Sequence, residues 1–399
     1  MKIAIDGYEA NVLQRLGSSQ VAFELLRNLE KIDQEDEYTI LLPSEVLPDM
    51  PRPRNNWQYK ILKPNKLWTR IALPLALYSA RIKPDLIFSP THYIPRFSPV
   101  KRVVSIFDLA YLHFPEMFNQ KDLYQLKNWT KFSIENADHI VTISEFTKED
   151  IIENYNVDSK KITLAYPGYD GEKFRVQGIG FREQEVKKKY GIKEEYIIAL
   201  GTIQPRKNYI RLIEAFKNVI LSETKNLSRM REGTETSSEI LHSVQDDNLK
   251  LVIVGKTTGA GREGWKFQET LDAPKRLVIE DKVIFTGFAV SEDLPSLLLG
   301  AKAFVLPSLW EGFGIPVLEA MASGTPVIVS NVSSLPEVAG EAGTYFDPYS
   351  VGDIAEKIEE ILNDEKLRKK KIELGLKRVQ DFSWEKCATE ILKVFQELK

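Results

Sequence analysis

The sequence predicts an α/β protein made of two doubly wound domains of similar size. Short apolar runs rich in β-branched residues alternate with longer amphipathic stretches, which is typical of βαβ units and a mainly parallel sheet. This alternation occurs twice, on either side of a glycine-containing stretch with few apolar pairs. A chain of 399 residues is also long enough for two or three domains, each with its own core.

The first half is predicted to form an N-terminal domain over residues 1–170. Its strands follow from short apolar runs and its helices from the amphipathic stretches between them. Ser144 is a good N-cap for the last of these helices, because its hydroxyl can accept a hydrogen bond from the first turn. The predicted strands are residues 2–6, 38–42, 85–88, 103–106, 139–143 and 162–165, and the predicted helices are 18–30, 120–136 and 145–154.

The second half is predicted to form a C-terminal domain over residues 191–383, after a linker at 171–190. Residues 222–248 are polar and join elements that need only a short connection, so they are expected to form a mobile surface insertion. Residues 384–399 read as an amphipathic helix that packs back on the first domain. The predicted strands of this half are 196–200, 251–254, 283–285, 303–306 and 327–329.

Cysteine usage and hydropathy exclude several classes of protein. The single cysteine, Cys387, rules out a disulfide framework and a multi-thiolate metal site, so a reducing cytoplasm fits best. The N-terminus reads as a strand and not as a secretion signal. The longest apolar run, residues 71–78, is far shorter than the roughly 20 residues that span a bilayer. We therefore expect a protein that is not integral to a membrane.

Charge is distributed unevenly, although the total is close to zero. Residues 51–102 contain eleven basic residues and one acidic residue, a net charge of +10. The whole chain carries −3, so the other 347 residues carry −13. The basic segment also holds Trp57, Tyr59 and Trp68, aromatic side chains that suit a membrane interface. We therefore expect peripheral docking on an anionic membrane; the alternatives are attraction of an anionic acceptor, or no partner.

The segment 303–330 carries the most specific pattern in the chain: a buried strand, a glycine-rich turn and a short helix that ends at Gly324. Gly312 and Gly314 let backbone N–H groups approach an anion closely, and the helix N-terminus adds a partial positive charge. This pattern predicts a phosphate site. The same glycines would also fit a tight strand-to-helix turn that binds nothing.

Two glutamates, Glu311 and Glu319, enclose this turn. Glu319 is expected inside the helix among apolar residues, where an unpaired carboxylate would cost several kcal/mol. Sugar and ribose hydroxyls are suitable partners, since a hydrogen bond to a charged group contributes about 1.5–3 kcal/mol. The two carboxylates therefore predict a sugar-containing ligand.

The arrangement E-GFGIPVL-E, from Glu311 to Glu319, resembles the E-x7-E motif of the retaining glycosyltransferases of the GT4 family. The resemblance covers nearly the whole chain. It implies the GT-B fold, with two facing Rossmann-like domains and the active site in the cleft between them. It also implies that Glu319 binds the donor ribose, that Glu311 contacts the transferred sugar and that amides at the helix start hold the diphosphate. The donor-binding residues assigned from this motif are Gly312, Phe313, Gly314, Ile315, Leu318 and Glu319.

The segment 201–208, GTIQPRKN, resembles the G-T-x-x-P-R-K-N form of mannosyltransferase-like members of that family. It follows a predicted strand, and α/β domains bind their ligands at the carboxyl ends of strands. Arg206 and Lys207 can neutralise the charge that builds on a departing nucleoside diphosphate; the alternative is a solvated basic pair. We predict Arg206, Lys207 and Glu311 as catalytic residues and Thr202 as a donor contact.

The first domain carries weaker signals. Family members often have a glycine-rich loop after the first strand, and here Gly17 is the one glycine left to contact the donor phosphates. Many relatives have His immediately before Asp108, where this chain has Phe107, whose side chain can neither exchange a proton nor donate a hydrogen bond. His92 and Asp108, each after a predicted strand end, are assigned to the acceptor side. A structural histidine and a cap for the following turn are the respective alternatives.

No D-x-D sequence occurs in the chain, so a metal-bridged diphosphate is not expected. The two cations and the helix N-terminus would take the place of a metal, and we predict neither a metal nor a cofactor, with a nucleoside-diphosphate sugar as co-substrate. The resemblance implies a retaining glycosyltransferase with GDP-mannose as the preferred donor and a UDP-sugar as the alternative. It implies a glycan or lipid-linked acceptor in cell-surface polysaccharide synthesis.

Two other classes of protein fit parts of the sequence. A non-catalytic nucleotide-sugar-binding protein is suggested by Phe107 and by the loss of glycines from the first loop. A sugar epimerase or phosphorylase shares the fold, although the pair of glutamates favours a transferase. No arrangement of Ser, Cys and His indicates a covalent hydrolase, and no nucleic-acid partner is expected. The expected location is the cytoplasm, with peripheral contact at the inner face of the cell membrane.

Overall fold

The computed structural model describes residues 1–80, 82–174, 180–231, 249–256 and 267–399. The chain divides into two compact units. The first unit comprises Met1–Gly168 and Phe382–Lys399, and the second comprises Tyr169–Asp381.

The first unit is built on a seven-stranded sheet in which every neighbouring pair is parallel. The strand order β3-β2-β1-β4-β5-β6-β7 places the reversal of strand order between β1 and β4. The strands are β1 (Lys2–Asp6), β2 (Glu37–Leu42), β3 (Trp57–Ile61), β4 (Leu86–Ser89), β5 (Lys101–Ile106), β6 (His139–Thr142) and β7 (Ile162–Leu164). The helices are α1 (Ser18–Ile32), α2 (Leu73–Tyr78), α3 (Ala110–His113), α4 (Gln120–Gln125), α5 (Lys131–Asn136) and α6 (Glu145–Tyr155), with π-helical turns at Trp68–Ala72 and Leu126–Thr130.

The second unit repeats this architecture on a six-stranded parallel sheet. The order β10-β9-β8-β11-β12-β13 places its reversal between β8 and β11. The strands are β8 (Tyr196–Leu200), β9 (Lys250–Val254), β10 (Val283–Gly287), β11 (Phe304–Leu306), β12 (Val327–Ser330) and β13 (Gly343–Phe346). The helices are α7 (Gly180–Lys189), α8 (Tyr209–Arg231), α9 (Gln268–Leu277), α10 (Leu294–Leu299), α11 (Ile315–Ala322), α12 (Leu335–Ala339), α13 (Val351–Asn363) and α14 (Glu365–Arg378).

The last helix, α15 (Trp384–Glu397), belongs to the first unit although it follows the second along the chain. The ring of its Phe395 packs edge-on against Phe88 of β4, with ring centres 5.4 Å apart. The thiol of Cys387 lies 3.4 Å from the carbonyl oxygen of Ala165. This helix therefore completes the core of the first unit.

The fold confirms the predicted class of two doubly wound α/β domains. Strands β3 and β13, each at the edge of its sheet, were not predicted from the sequence. The helix α7 occupies much of the predicted linker, and α8 continues to Arg231, so the predicted insertion does not begin at residue 222. The remainder of that insertion, residues 232–248, lies outside the described residues.

Two aromatic residues assigned to a membrane interface are instead parts of the core. Trp57 has no exposed surface and packs on Tyr38, with ring centres 4.9 Å apart. Trp68 is 8% exposed, and its indole nitrogen donates a hydrogen bond of 2.8 Å to the carboxylate of Asp6. The hydroxyl of half-buried Tyr59 is bound to the carbonyl of Pro51. The prediction that Trp57 and Trp68 meet a membrane is therefore wrong. None of the helices in the described ranges combines the length and apolar character needed to cross a bilayer.

Candidate active site

The predicted donor residues of the second unit lie on two loops at one position in the sheet and on helix α11, which follows the second loop. The loop 201–208 follows β8, and the loop 307–314 follows β11. These strands are hydrogen-bonded neighbours at the point where the strand order reverses. Chains that leave such neighbours in opposite directions open a crevice at the carboxyl ends of the strands, where doubly wound domains bind ligands. The two motifs are therefore brought together by the topology.

Glu311, Arg206 and Lys207 form one charged cluster in this crevice. The Lys207 ammonium pairs with one carboxylate oxygen of Glu311, and the Arg206 guanidinium lies 3.4 Å from the other. The hydroxyl of Ser308 donates to Glu311 at 2.6 Å. Burial alone would raise the pKa of Glu311, but Lys207, Arg206 and Ser308 together hold it at about 2. Glu311 is therefore an anion at neutral pH, and the cluster of one carboxylate and two cations carries a net charge of +1.

Backbone contacts fix the two loops to each other. Arg206 also donates to the carbonyl oxygen of Trp310, and the N–H of Leu309 donates to the carbonyl oxygen of Arg206 at 2.9 Å. Asn208 adopts a left-handed conformation with a φ of 58°, and its buried amide donates to the carbonyls of Pro307 and Pro348 at 3.0 and 2.8 Å. Asn208 was not predicted as a site residue, although it directly follows Arg206 and Lys207 in the sequence. It ties the loop after β8 to the loop after β11.

Two serines after β12 hold the glycine-rich turn from its other side. The N–H of Glu311 donates to the hydroxyl of Ser333 at 3.0 Å. The buried hydroxyl of Ser334 lies 2.9 Å from the carbonyl oxygens of both Glu311 and Phe313. These contacts direct backbone carbonyls of the turn toward Ser334. No sequence signal distinguished this pair of serines from an ordinary loop.

The turn passes directly into helix α11 at Gly314. Gly314 has a φ of 113°, which favours glycine, and a Cβ there would lie 3.0 Å from Leu335. The N–H of Val317 bonds back to the carbonyl of Gly314 at 2.9 Å, and Pro316 has no N–H. The first backbone N–H groups of a helix have no carbonyl group one turn earlier to which they could donate a hydrogen bond. The amides of Gly314 and Ile315 are therefore the ones that an approaching anion would meet.

Glu319 lies on α11 and is half-buried, whereas the neighbouring Leu318 has no exposed surface. Burial raises the pKa of Glu319 to about 7, although the charge of Lys173 opposes this change and that of Asp170 adds to it. The same burial leaves this carboxylate poorly solvated. A ligand hydroxyl that donates to it would relieve that cost.

Three glycines line the neighbouring strand ends. The peptide of Gly255, after β9, passes so close to Gly201 that a Cβ on Gly255 would lie 2.1 Å from the carbonyl oxygen of Gly201. The N–H of Gly255 donates to the carbonyl of Gly287 at 3.1 Å. Gly201 itself has a φ of 145°, and half-buried Thr202 follows it. Gly255 was not predicted as a site residue, although a glycine directly after a buried strand is visible in the sequence.

The first unit carries the other predicted site residues. Gly17 is exposed, has a φ of 54° and caps helix α1. The ring nitrogen Nε2 of His92 accepts a hydrogen bond of 3.0 Å from the backbone N–H of Phe107, so the loops after β4 and β5 are tied together. The carboxylate of Asp108 accepts from the N–H of Ala110 at 3.0 Å. Asp108 therefore acts as a local cap, as the alternative interpretation proposed.

The expectation of a site without metal stays a prediction. Across the described ranges, no group of three or more His, Cys, Asp or Glu side chains is arranged to hold a metal ion.

Family comparisons agree with both units. Residues 17–173 match the family described as Glycosyltransferase Family 4, and residues 182–378 match the family described as Glycosyl transferases group 1. The chain belongs to the GT4 glycosyltransferases and is a glycosyltransferase, which confirms the family and the class of enzyme predicted from the two motifs.

Similar proteins within the family include two mannosyltransferases of Escherichia coli. The O-antigen chain mannosyltransferase B of Escherichia coli is 27% identical over 398 residues, covering 96% of each chain. The serotype-specific mannosyltransferase WbdA of Escherichia coli is 31% identical over 80% of this chain, but the match spans only 37% of WbdA.

Solved structures with the same fold span nearly the whole chain. Sucrose-phosphate synthase from Thermosynechococcus elongatus has a TM-score of 0.74 at 18% identity, covering 100% of this chain and 99% of its own. WaaG, a glycosyltransferase involved in lipopolysaccharide biosynthesis, has a TM-score of 0.69 at 16% identity, covering 98% of this chain and 99% of its own. These likenesses establish the GT-B fold.

Proposed function

We propose that the protein transfers mannose from GDP-mannose, with retention at the anomeric carbon, to a glycan or lipid-linked acceptor in cell-surface polysaccharide synthesis. The observation that carries this proposal is the charged cluster of Arg206, Lys207 and Glu311 where the strand order of the second sheet reverses. Mannose is supported by the similarity to O-antigen mannosyltransferase B over 96% of both chains.

The leaving group in this reaction is a nucleoside diphosphate, which gains negative charge as the glycosidic bond breaks. The cluster keeps a net positive charge because one carboxylate faces two cations. The amides of Gly314 and Ile315 add N–H donors at the positive end of α11. These groups are fixed before the reaction starts, so little reorganisation is needed to stabilise the transition state. No metal ion is required for this role.

Retention follows if both substrates react on one face of the sugar. The acceptor hydroxyl oxygen forms a bond to the anomeric carbon while the bond from that carbon to the β-phosphate oxygen breaks. The proton of the hydroxyl passes to the departing phosphate oxygen, which leaves as part of GDP. No protein nucleophile takes part, so Glu311, held as an anion by Lys207, contacts the sugar and stabilises the positive charge that develops on it.

The remaining predicted residues bind the substrates. Glu319 accepts hydrogen bonds from the donor ribose, and Thr202 lines the donor side with the turn that begins at Gly312. In the first unit, Gly17 contacts the donor phosphates, while His92 and Asp108 line the acceptor side. If the acceptor is carried on a lipid, the protein meets it at the inner face of the cell membrane. The identity of the donor, the identity of the acceptor and the contact with the membrane are all parts of this proposal.

A donor panel tests this function directly. Purified protein is incubated with GDP-mannose, UDP-glucose and other nucleotide sugars in the presence of mannose-containing oligosaccharides, and free nucleotide and glycosylated product are measured. We expect GDP and an α-mannoside to be formed at equal rates, with or without EDTA. Consumption of a UDP-sugar instead would overturn the donor, a β-mannoside would overturn retention, and loss of activity in EDTA would overturn the metal-free site.

A further inference from the structure

An apolar stripe runs along the outer side of the segment that contains the π-helical turn Trp68–Ala72 and helix α2. Its members follow each other at intervals of three or four residues, as one face of a helix requires. The opposite side of this segment is in the core, where Leu73 and Leu77 pack with Ala4 and Ile87. The stripe consists of Leu67, Ile71, Leu75 and Tyr78, which are 52%, 36%, 64% and 64% exposed. Contiguous exposed apolar surface of this kind marks an interaction site.

A pocket with two arginines opens beside the stripe, because Arg70 lies next to Ile71. The Arg70 guanidinium is 4.9 Å from the ring centre of Trp129, and that of Arg96 is 3.7 Å from the ring centre of Phe132. Both arginines line one small surface pocket that is open to solvent. Within the described part of the chain, neither guanidinium forms an ion pair with a carboxylate.

Two of the residues that line this pocket lie in π-helical turns. Arg70 lies in the π-helical turn Trp68–Ala72, and Trp129 lies in the π-helical turn Leu126–Thr130. Such turns are rare and occur frequently at functional sites. A guanidinium that stacks on a ring keeps N–H donors with which it can bind a phosphate. The pocket therefore has the chemistry of a site for a phosphate ester.

The surroundings of the stripe are strongly positive. Residues 51–102 carry a net charge of +10, and the exposed cations among them include Lys63, Lys66 and Lys83. The N–H of Arg96 donates to the carbonyl of Thr69 at 2.7 Å, which brings Phe97, 64% exposed, beside the same segment. Two copies of this face would repel each other, whereas an anionic surface would be attracted.

We infer that this face docks on an anionic phospholipid bilayer. The apolar stripe enters the boundary between headgroups and acyl chains, while Arg70 and Arg96 hold a lipid phosphate in the pocket beside it. An interfacial helix with an apolar face and flanking cations binds membranes in this way. This surface deepens the membrane contact of the proposed function, although it depends on neither the donor nor the reaction, and it is distinct from the buried Trp57 and Trp68.

Vesicle co-sedimentation tests the inference with the full chain. We expect the protein to pellet with vesicles of phosphatidylcholine and phosphatidylglycerol at low salt, and to stay in solution with phosphatidylcholine alone or at high salt. The stripe variant Leu75→Ser/Tyr78→Ser should lower vesicle affinity at least about 10-fold. The pocket variant Arg70→Gln/Arg96→Gln should lower it roughly 5-fold for each arginine.

Matched controls come from the second unit. Val278→Ser removes an apolar residue that is 82% exposed, and Lys275→Gln/Arg276→Gln removes two exposed cations. These variants should bind vesicles as the wild type does. The stripe variant should melt like the wild type and transfer sugar to a soluble acceptor at an unchanged rate, so loss of docking is distinguishable from failure of the proposed reaction.

Three results would overturn the inference. The first is a wild-type protein that ignores anionic vesicles at low salt. The second is stripe and pocket variants that bind them as tightly as the wild type. The third is a wild-type dimer, seen by light scattering, that becomes monomeric in the stripe variant, because the stripe would then be a contact between two copies.

Discussion

Lys207 and Glu311, 104 residues apart in the chain, form a buried ion pair where the strand order of the second sheet reverses. Their side chains are only 11% and 10% exposed. Removal of one partner from such a pair leaves an uncompensated buried charge, which typically costs 3–5 kcal/mol. This pair therefore links the stability of the second unit to the charge balance of its candidate site.

The charge of Glu311 predicts a specific loss of stability in acid. The pKa of Glu311 falls from 4.5 in the unfolded chain to about 2 in the folded protein. A lowered pKa contributes stability that is present above pH 4.5 and lost as the pH falls toward 2, on the order of 3 kcal/mol. Glu311→Gln should lower the melting temperature at neutral pH and lack this acid-dependent part. Glu269→Gln, on an exposed face of α9, is the control; identical pH profiles for wild type and Glu311→Gln would contradict the prediction.

For Glu319 we predict the opposite dependence of stability on pH. Its pKa rises from 4.5 to about 7, so its contribution to stability is present below pH 4.5 and lost as the pH rises through 7. Glu319→Gln should therefore be more stable than the wild type at about pH 8 and show no such advantage at about pH 4. The variant should also lose a charged acceptor for the donor, which lowers kcat/KM about 10- to 150-fold. A less stable variant at pH 8, or normal donor use, would refute this account of Glu319.

The two cations predict an effect on rate greater than the effect on binding. Arg206→Ala/Lys207→Ala removes groups that act on the charge of the leaving diphosphate, so kcat should fall about 100- to 1,000-fold while KM changes much less. Lys275→Ala/Arg276→Ala is a control at a distance from the strand ends. Melting curves check that the variant is folded, and an unchanged kcat in a folded variant would remove both residues from the mechanism.

The hydrogen bond between Asp6 and Trp68 predicts that removing it destabilises the first unit, and that the size of this effect depends on pH. Burial raises the pKa of Asp6 to about 7, against the hydrogen bonds from Trp68 and Tyr8. Trp68→Phe keeps an aromatic ring but removes the indole donor, so the charged form of Asp6 loses a partner. The free energy of unfolding should fall by about 1–3 kcal/mol at pH 8 and by less at pH 5. Trp57→Phe, which removes a bond to a neutral hydroxyl, should show no such dependence.

The close approach of two strand ends predicts that Gly255 tolerates no side chain. A Cβ there would lie 2.1 Å from the carbonyl oxygen of Gly201, a backbone atom that cannot move without the loop that carries Thr202. Gly255→Ala should lower the melting temperature and weaken donor binding measured by calorimetry. Gly352→Ala is the matched control, because the nearest atom to its Cβ is 4.0 Å away. Equal melting temperatures for both variants would contradict the prediction.

Much of the fold could be predicted because buried parallel strands read as continuous apolar runs. The strand β8 was predicted with its observed bounds, and its sequence YIIAL is wholly buried. The edge strand β3 was missed because WQYKI places one buried residue among half-buried and exposed ones. The sequence also gave no sign that Trp57 and Trp68 are buried, since amphipathic aromatics suit both a core and an interface.

The candidate site was predictable in its parts but not in its connections. Glycine-rich turns and adjacent cations after strands are visible in the sequence, and topology brings them to the reversal of strand order. From the sequence, Glu311 and the two cations were predicted to contact different parts of the substrate, whereas the structure also pairs them with each other. The roles of Asn208 and Ser334 depend on contacts between distant segments, which no local pattern encodes.

The position of α15 affects the order in which the protein is completed during synthesis. During translation, the whole of Tyr169–Asp381 is synthesised before α15, the helix that packs against Phe88 in the core of the first unit. The domain that is translated first is thus completed after the second one, and part of its apolar surface stays uncovered until α15 has been synthesised. A chain cut short before Trp384 would leave the second domain whole and the first one open, exposed to proteases and prone to aggregation.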